Sequence, residues 1–138
     1  MEWTALRVGL GHDQPTRIDD SGAGAGMKPV QSARMEWSPL GEEGAAGIAI
    51  KVLRFDEESG RAPTFLLRFD AGARYPALDH PGGEEVFVLE GEITFGRHLL
   101  KAGDYLYTPP GGKHAVWSKE GCVLLLIVPE EVVILKQA

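Results

Sequence analysis

No window of ten or more residues in this chain carries a 3.6-residue apolar period, so the sequence gives no amphipathic helix to build on. Short β-rich runs take its place: Ile48–Phe55, Thr64–Phe69, Glu85–Leu89, Glu92–Phe95, His98–Leu100, Asp104–Thr108, His114–Ser118, Cys122–Val128 and Glu131–Leu135. Turn signals separate them, among them the charged Asp56-Glu-Glu-Ser-Gly60 and the glycines Gly91 and Gly96, read here as strand breaks. So many short strands in one small chain predict an all-β fold, a small sandwich or barrel of the jelly-roll kind.

A length of 138 residues predicts one domain, and 43% hydrophobic content is enough for one core. The net charge of -6, with Lys and Arg scattered, speaks against nucleic acid and anionic membrane as partners. Both need a concentrated basic face. The one cysteine, Cys122, cannot form an intramolecular disulfide, and its apolar neighbours Val123-Leu-Leu-Leu-Ile-Val128 predict a buried small hydrophobe. The start lacks a basic region followed by an apolar run, and the C-terminal apolar run is interrupted by Pro129-Glu130-Glu131. The expected location is the cytoplasm.

Residues 1–35 read as an N-terminal arm and a Gly/Ala-rich linker, Ser21-Gly-Ala-Gly-Ala-Gly26, ahead of a single barrel domain over 36–138. The arm has two readings, a frayed terminus or a strand that pairs with a partner subunit.

The chemistry-bearing residues fall in two segments. Gly72 to Gly91 reads as a strand, a tight turn at Pro81-Gly82-Gly83, and a returning strand. Alternation places Leu78 and His80 on one face, about 7 Å apart, with Asp79 pointing away. After the turn, Glu84 comes back opposite His80, and cross-strand Cβ atoms about 5 Å apart let one cation bridge the two. Val86 and Val88 continue that inward face while Glu85 and Phe87 alternate outward, which makes Glu84 the ligand candidate. The second segment turns at Gly103, runs as a strand, and meets the sharp corner Pro109-Pro-Gly-Gly112 before His114. A fixed corner holds an imidazole in place. Val116 shares the His114 face, and Trp117 has the opposite parity.

These two segments resemble the paired motifs of the cupin superfamily. Gly72, His80, Glu84 and Gly91 fall at the first motif's places, and Gly103, Pro109, Gly111 and His114 at the second's, with Ser118 where that motif ends in asparagine. The phrase His80-Pro-Gly-Gly-Glu-Glu-Val-Phe-Val-Leu-Glu-Gly91 is most similar to the cupin-like domain of ChrR-type anti-sigma factors and their single-domain relatives. The resemblance covers roughly residues 36 to 135 and implies a double-stranded β-helix, the jelly-roll barrel of the cupins.

In the family, two motif-1 histidines, the glutamate and the motif-2 histidine bind one divalent metal. Carried over, the set is His80, Glu84 and His114, because Leu78 stands where the first histidine would be. Two histidines and a carboxylate have the composition of a facial triad with open coordination positions, and Fe(II), Zn, Mn and Ni all suit it. The bland alternative is a degenerate barrel in which the three side chains merely hydrogen-bond one another. Leu78, Val86, Val88 and Val116 are the apolar residues expected against a small-molecule ligand.

The resemblance therefore implies either a dioxygenase-like enzyme or a non-catalytic ligand-binding or sensing barrel, and it implies a homodimer. In the anti-sigma relatives a separate N-terminal zinc-binding domain contacts the sigma factor. The first 35 residues here hold no cysteine and only His12, so direct anti-sigma action is not expected. His12 and His98 read as solvated. Tyr75, Tyr105 and Tyr107 read as packing residues that could each lend a hydroxyl to the cavity.

Overall fold

A computed structural model describes residues 2–5, 26–55, 63–79, 82–128 and 133–136, with 2–5, 77–79 and 133–136 described by their backbone pairing. Among the described residues eleven strands carry the fold: β1 Glu2–Ala5, β2 Ser38–Pro39, β3 Ile48–Arg54, β4 Thr64–Phe69, β5 Arg74–Asp79, β6 Glu84–Phe95, β7 His98–Lys101, β8 Tyr105–Thr108, β9 Lys113–Trp117, β10 Cys122–Ile127 and β11 Val133–Lys136. All pairings are antiparallel, in the order β1-β11-β5-β9-β6-β10-β4-β3-β2, with β7 and β8 also on β6. Among the described residues the helical content is one 3-10 turn, Ser32–Arg34. The chain is all-β, a sheet curled into a jelly-roll barrel.

β6 is the strand that makes the curl. Its first half pairs β8 and β10, and its second half pairs β7 and β9. The change of partners falls at Gly91, which the sequence reading took as a break. Instead the strand runs through all 12 residues and turns its corner there, with φ +74°. A left-handed residue inside a strand re-aims the backbone, and the register against β10 slips next to it, between Val123 and Leu124. The approach at this corner is close: a Cβ on Gly91 would collide with the Gly121 carbonyl oxygen.

The core lies between the two halves of the curled sheet. Val86, Val88, Ile93, Leu124 and Val128 are almost wholly buried, packed with Ile48, Ile50, Phe65, Leu67, Phe69, Phe95 and Val116. Alternation explains the set, since Val86 and Val88 face in while Phe87 and Leu89 stay exposed on the outer face. Lys51 is a buried charge on that outer face. Its Nζ donates to the Ser32 carbonyl at 2.9 Å and lies 4.6 Å from the Trp37 ring centroid, so the segment leading into β2 covers it. The arm's strand β1 pairs with β11 of the same chain. The linker residues 21–25 and His12 lie outside the described residues.

Candidate functional site at the inner face of the barrel

Three adjacent strands deliver the polar residues. Glu84 opens β6, and its register partner on β8 is Thr108, the last residue before the Pro109-Pro110 corner. Both are buried, Glu84 with 2% of its surface exposed and Thr108 with 7%. The Thr108 hydroxyl lies 3.3 Å from His114 Nε2 on β9, within hydrogen-bonding reach. His114 also packs edge-on against the Phe95 ring at 5.1 Å between centroids. Thr108 thus stands between the two predicted ligands, Glu84 by register and His114 by hydrogen bond.

Glycine shapes the approach to this cluster. Gly83, at φ +84°, sits so close to the opposite corner that a Cβ would come within 2.8 Å of the Thr108 carbonyl oxygen. The turn into Glu84 is therefore pressed against the strand end that carries Thr108, and only glycine fits there.

The apolar neighbours follow the same parity. Val86, one step inward from Glu84, pairs with Leu106. On β9, Val116 shares the His114 face, lies opposite Tyr75 on β5 and opposite Phe95 on β6. Leu78 is the register partner of His114 in the β5–β9 ladder, so the backbone sets the position that breaks the motif opposite that predicted ligand. His80 lies outside the described residues. Trp117, of opposite parity, takes the Arg74 guanidinium over its ring at 5.1 Å.

Burial dominates the electrostatics. It pushes the Glu84 carboxyl up to about 8, because an ionised carboxylate loses its hydration there. It lowers His114 below the usual imidazole value, against a smaller opposing effect of its own backbone, so the neutral ring is the resting form. Tyr75 is raised well above the usual phenol value, first by burial and then by the carboxylates of Glu42 and Glu84. A neutral imidazole and an oxygen donor in largely buried surroundings are suitable first partners for a divalent transition metal. Among the described residues, no group of three or more His, Cys, Asp or Glu side chains gathers closely enough to hold one. Glu84 and His114 are two of the three predicted donors, and the third, His80, lies outside the described residues.

Thr108 was not among the residues singled out from sequence. The signal for it was present in the alternation that carries Leu106 inward and Tyr105 and Tyr107 outward. Both tyrosines are half-exposed on the outer face, where the Tyr105 hydroxyl donates to Glu85 Oε1 at 2.7 Å, so neither reaches the interior. His98 is exposed on β7. Ser118, in place of the motif's asparagine, is fully buried and ties a corner: its hydroxyl donates to the Glu92 carbonyl at 2.6 Å and accepts from the Gly121 amide at 2.9 Å. Cys122 is buried beside it.

Solved structures share this architecture. The polyketide cyclase RemF from Streptomyces resistomycificus superposes with a TM-score of 0.69 at 21% identity, over 81% of this chain and 87% of that one. A candidate acetylacetone dioxygenase from Methylibium petroleiphilum PM1 gives 0.71 at 21% identity, over 80% and 81%. A chain of the Rhodobacter sphaeroides complex of SigE with the anti-sigma ChrR gives 0.57 at 24% identity, over 68% of this chain and 48% of that one. At these identities the likeness is one of fold. No curated protein sequence matches the chain. The model of the ChrR cupin-like domain, however, matches residues 25–129, most of the barrel and both motif segments. By that match, the chain belongs to the ChrR cupin-like domain family.

Proposed function

We propose that the barrel binds one divalent transition metal through His80, Glu84 and His114 and presents it to a small molecule held against Val86, Val116 and the position of Leu78. The observation that carries this reading is the burial of Glu84 at the inner face, one hydrogen-bonded neighbour away from His114. A carboxyl placed where ionisation is disfavoured gains most from a cation beside it. The donor set fits the group: a neutral imidazole and a carboxylate, with a second imidazole expected from the turn that precedes Glu84.

Bound there, such a metal would supply Lewis acidity toward an oxygen ligand and, if redox-active, the ability to bind dioxygen. The chain's own residues do the rest. Thr108 orients the His114 ring, Phe95 limits its rotation, and the apolar walls exclude water around the ligand. A leucine at position 78 leaves one fewer nitrogen donor than the full motif, hence one more coordination position for a bidentate ligand.

Fold likeness to a candidate acetylacetone dioxygenase and to a polyketide cyclase is compatible with oxygen-bearing carbon skeletons as ligands. The second reading, a non-catalytic sensing barrel, is favoured by membership in a family named for an anti-sigma factor. Both need the same first experiment. Protein purified without chelator and analysed for bound metals should carry one equivalent, lost in Glu84→Ala and His114→Ala. Wild-type protein without metal, showing no thermal shift with added Fe(II), Mn, Zn or Ni, would refute the metal reading.

A further inference from the structure

Tyr75 carries a polar group that the fold does not use. It lies on β5 with 4% of its surface exposed, inside the same core cluster as Val86, Phe95 and Val116. Its hydroxyl is buried and makes no hydrogen bond to any described residue. Yet it is near enough to the Glu42 and Glu84 carboxylates for both to oppose its ionisation. A buried tyrosine hydroxyl normally finds a partner, because leaving it without one is costly.

The backbone places that hydroxyl on the site's face. Tyr75 is the register partner of Val116, two residues along β9 from His114, and the β5–β9 register slips between Tyr75 and Leu78. A slip of this kind re-aims side chains and recurs beside binding sites. Pro76, which has no backbone donor to contribute to the ladder, lies within it. The loop through Gly44 comes close to this slip, where a Cβ on Gly44 would lie 4.0 Å from the Pro76 Cδ.

We infer that Tyr75 is a specificity-determining residue of the barrel, whose hydroxyl donates a hydrogen bond to the carbonyl or hydroxyl oxygen of a small, neutral, largely apolar ligand. The class follows from the surroundings: the walls are valine and phenylalanine, which favour a neutral, largely apolar ligand. The inference rests on the reading of the barrel interior as a small-molecule site, and not on the metal.

The test compares wild type, Tyr75→Phe and, as a control on the outer face, Tyr105→Phe. Each full-length protein is titrated with acetylacetone, cyclohexanone and acetophenone by calorimetry and thermal shift, and its metal content is measured in the same samples. At least one probe should bind wild type and the control equally, and bind Tyr75→Phe about three- to tenfold more weakly. Without probe, Tyr75→Phe should melt at or above the wild-type temperature, because it removes a hydroxyl that has no protein partner.

Three results would overturn the inference: no probe binding to wild type, equal binding to Tyr75→Phe, or a Tyr75→Phe protein that melts several degrees lower or fails to fold. Metal content separates the two readings. Tyr75-dependent binding in metal-free protein keeps this inference and removes the metal. Bound metal with no Tyr75 dependence does the opposite.

Discussion

Leu78 and His114 are direct partners across the β5–β9 ladder. Directly opposed residues in an antiparallel pair have Cβ atoms about 5 Å apart, a separation one metal ion can bridge. The residue that departs from the family motif is therefore at the proposed site by backbone register. It follows that Leu78→His should raise affinity for Zn or Ni by about tenfold or more, equivalent to about 1.4 kcal/mol. Leu78→Ala removes no donor and should leave metal content unchanged. Competition titration against a chromogenic chelator reads both; an unchanged affinity in Leu78→His, with wild type binding normally, would place position 78 away from the metal.

Glu84 gives a pH dependence with a definite sign. Its carboxyl titrates at about 8 in the folded protein against an ordinary value of 4.5, so the native state holds a proton that the unfolded chain has released between those limits. Stability falls wherever the unfolded state binds fewer protons. Metal-free protein should thus lose stability as pH rises from about 4.5 to about 8, by an amount on the order of a few kcal/mol across the window. Glu84→Gln cannot ionise and should flatten that difference. Urea unfolding of both proteins across the range is the measurement. A wild-type curve parallel to that of Glu84→Gln would mean that Glu84 is solvated in solution.

The fold was legible because local patterns agreed with it. The turn residues Gly82-Gly83, the alternation from Glu84 through Val88, and the corner before His114 each act over a few residues, where sequence reports backbone geometry directly. The inward placement of Glu84, Val86 and Val116 followed from period-two counting alone. Gly91 was misread because glycine marks both strand ends and bulges, and only the packing of Gly121 against it distinguishes them. Thr108 escaped notice for a different reason. A threonine in a strand is unremarkable until its partner is known, and that partner, Glu84, is many residues away and set by the β6–β8 register.

Cys122 should behave as an inert thiol. Burial raises it to about 11, outweighing the smaller opposing effects of the Ser118 side chain and the Phe69 backbone. At pH 8 only about one thiol in a thousand is then ionised, and the thiolate is the reactive form. Labelling by a disulfide reagent should be at least about a hundredfold slower in native protein than in urea-unfolded protein, and should speed up as pH climbs toward 11. Prompt stoichiometric labelling of native protein at pH 8 would contradict the buried placement.

Gly91 and Gly96 offer a controlled comparison within one strand and the turn that follows it. Both have positive φ, +74° and +57°, where a side chain adds strain of about 1–2 kcal/mol. They differ in their surroundings. A Cβ on Gly96 meets nothing within 4 Å, whereas one on Gly91 collides with the Gly121 carbonyl and sits 2.9 Å from the Cys122 Cα. The colliding atoms are backbone and belong to the corner that Ser118 locks through Glu92 and Gly121, so they have little room to give way. Gly96→Ala should therefore cost about 1–2 kcal/mol, the conformational strain alone. Gly91→Ala should cost more than about 3 kcal/mol, in the range reserved for a damaged core or strained backbone. Chemical denaturation of the two variants beside wild type decides it. Equal losses would mean that the β6 corner relaxes freely, and that the two halves of the barrel are not held together at Gly91.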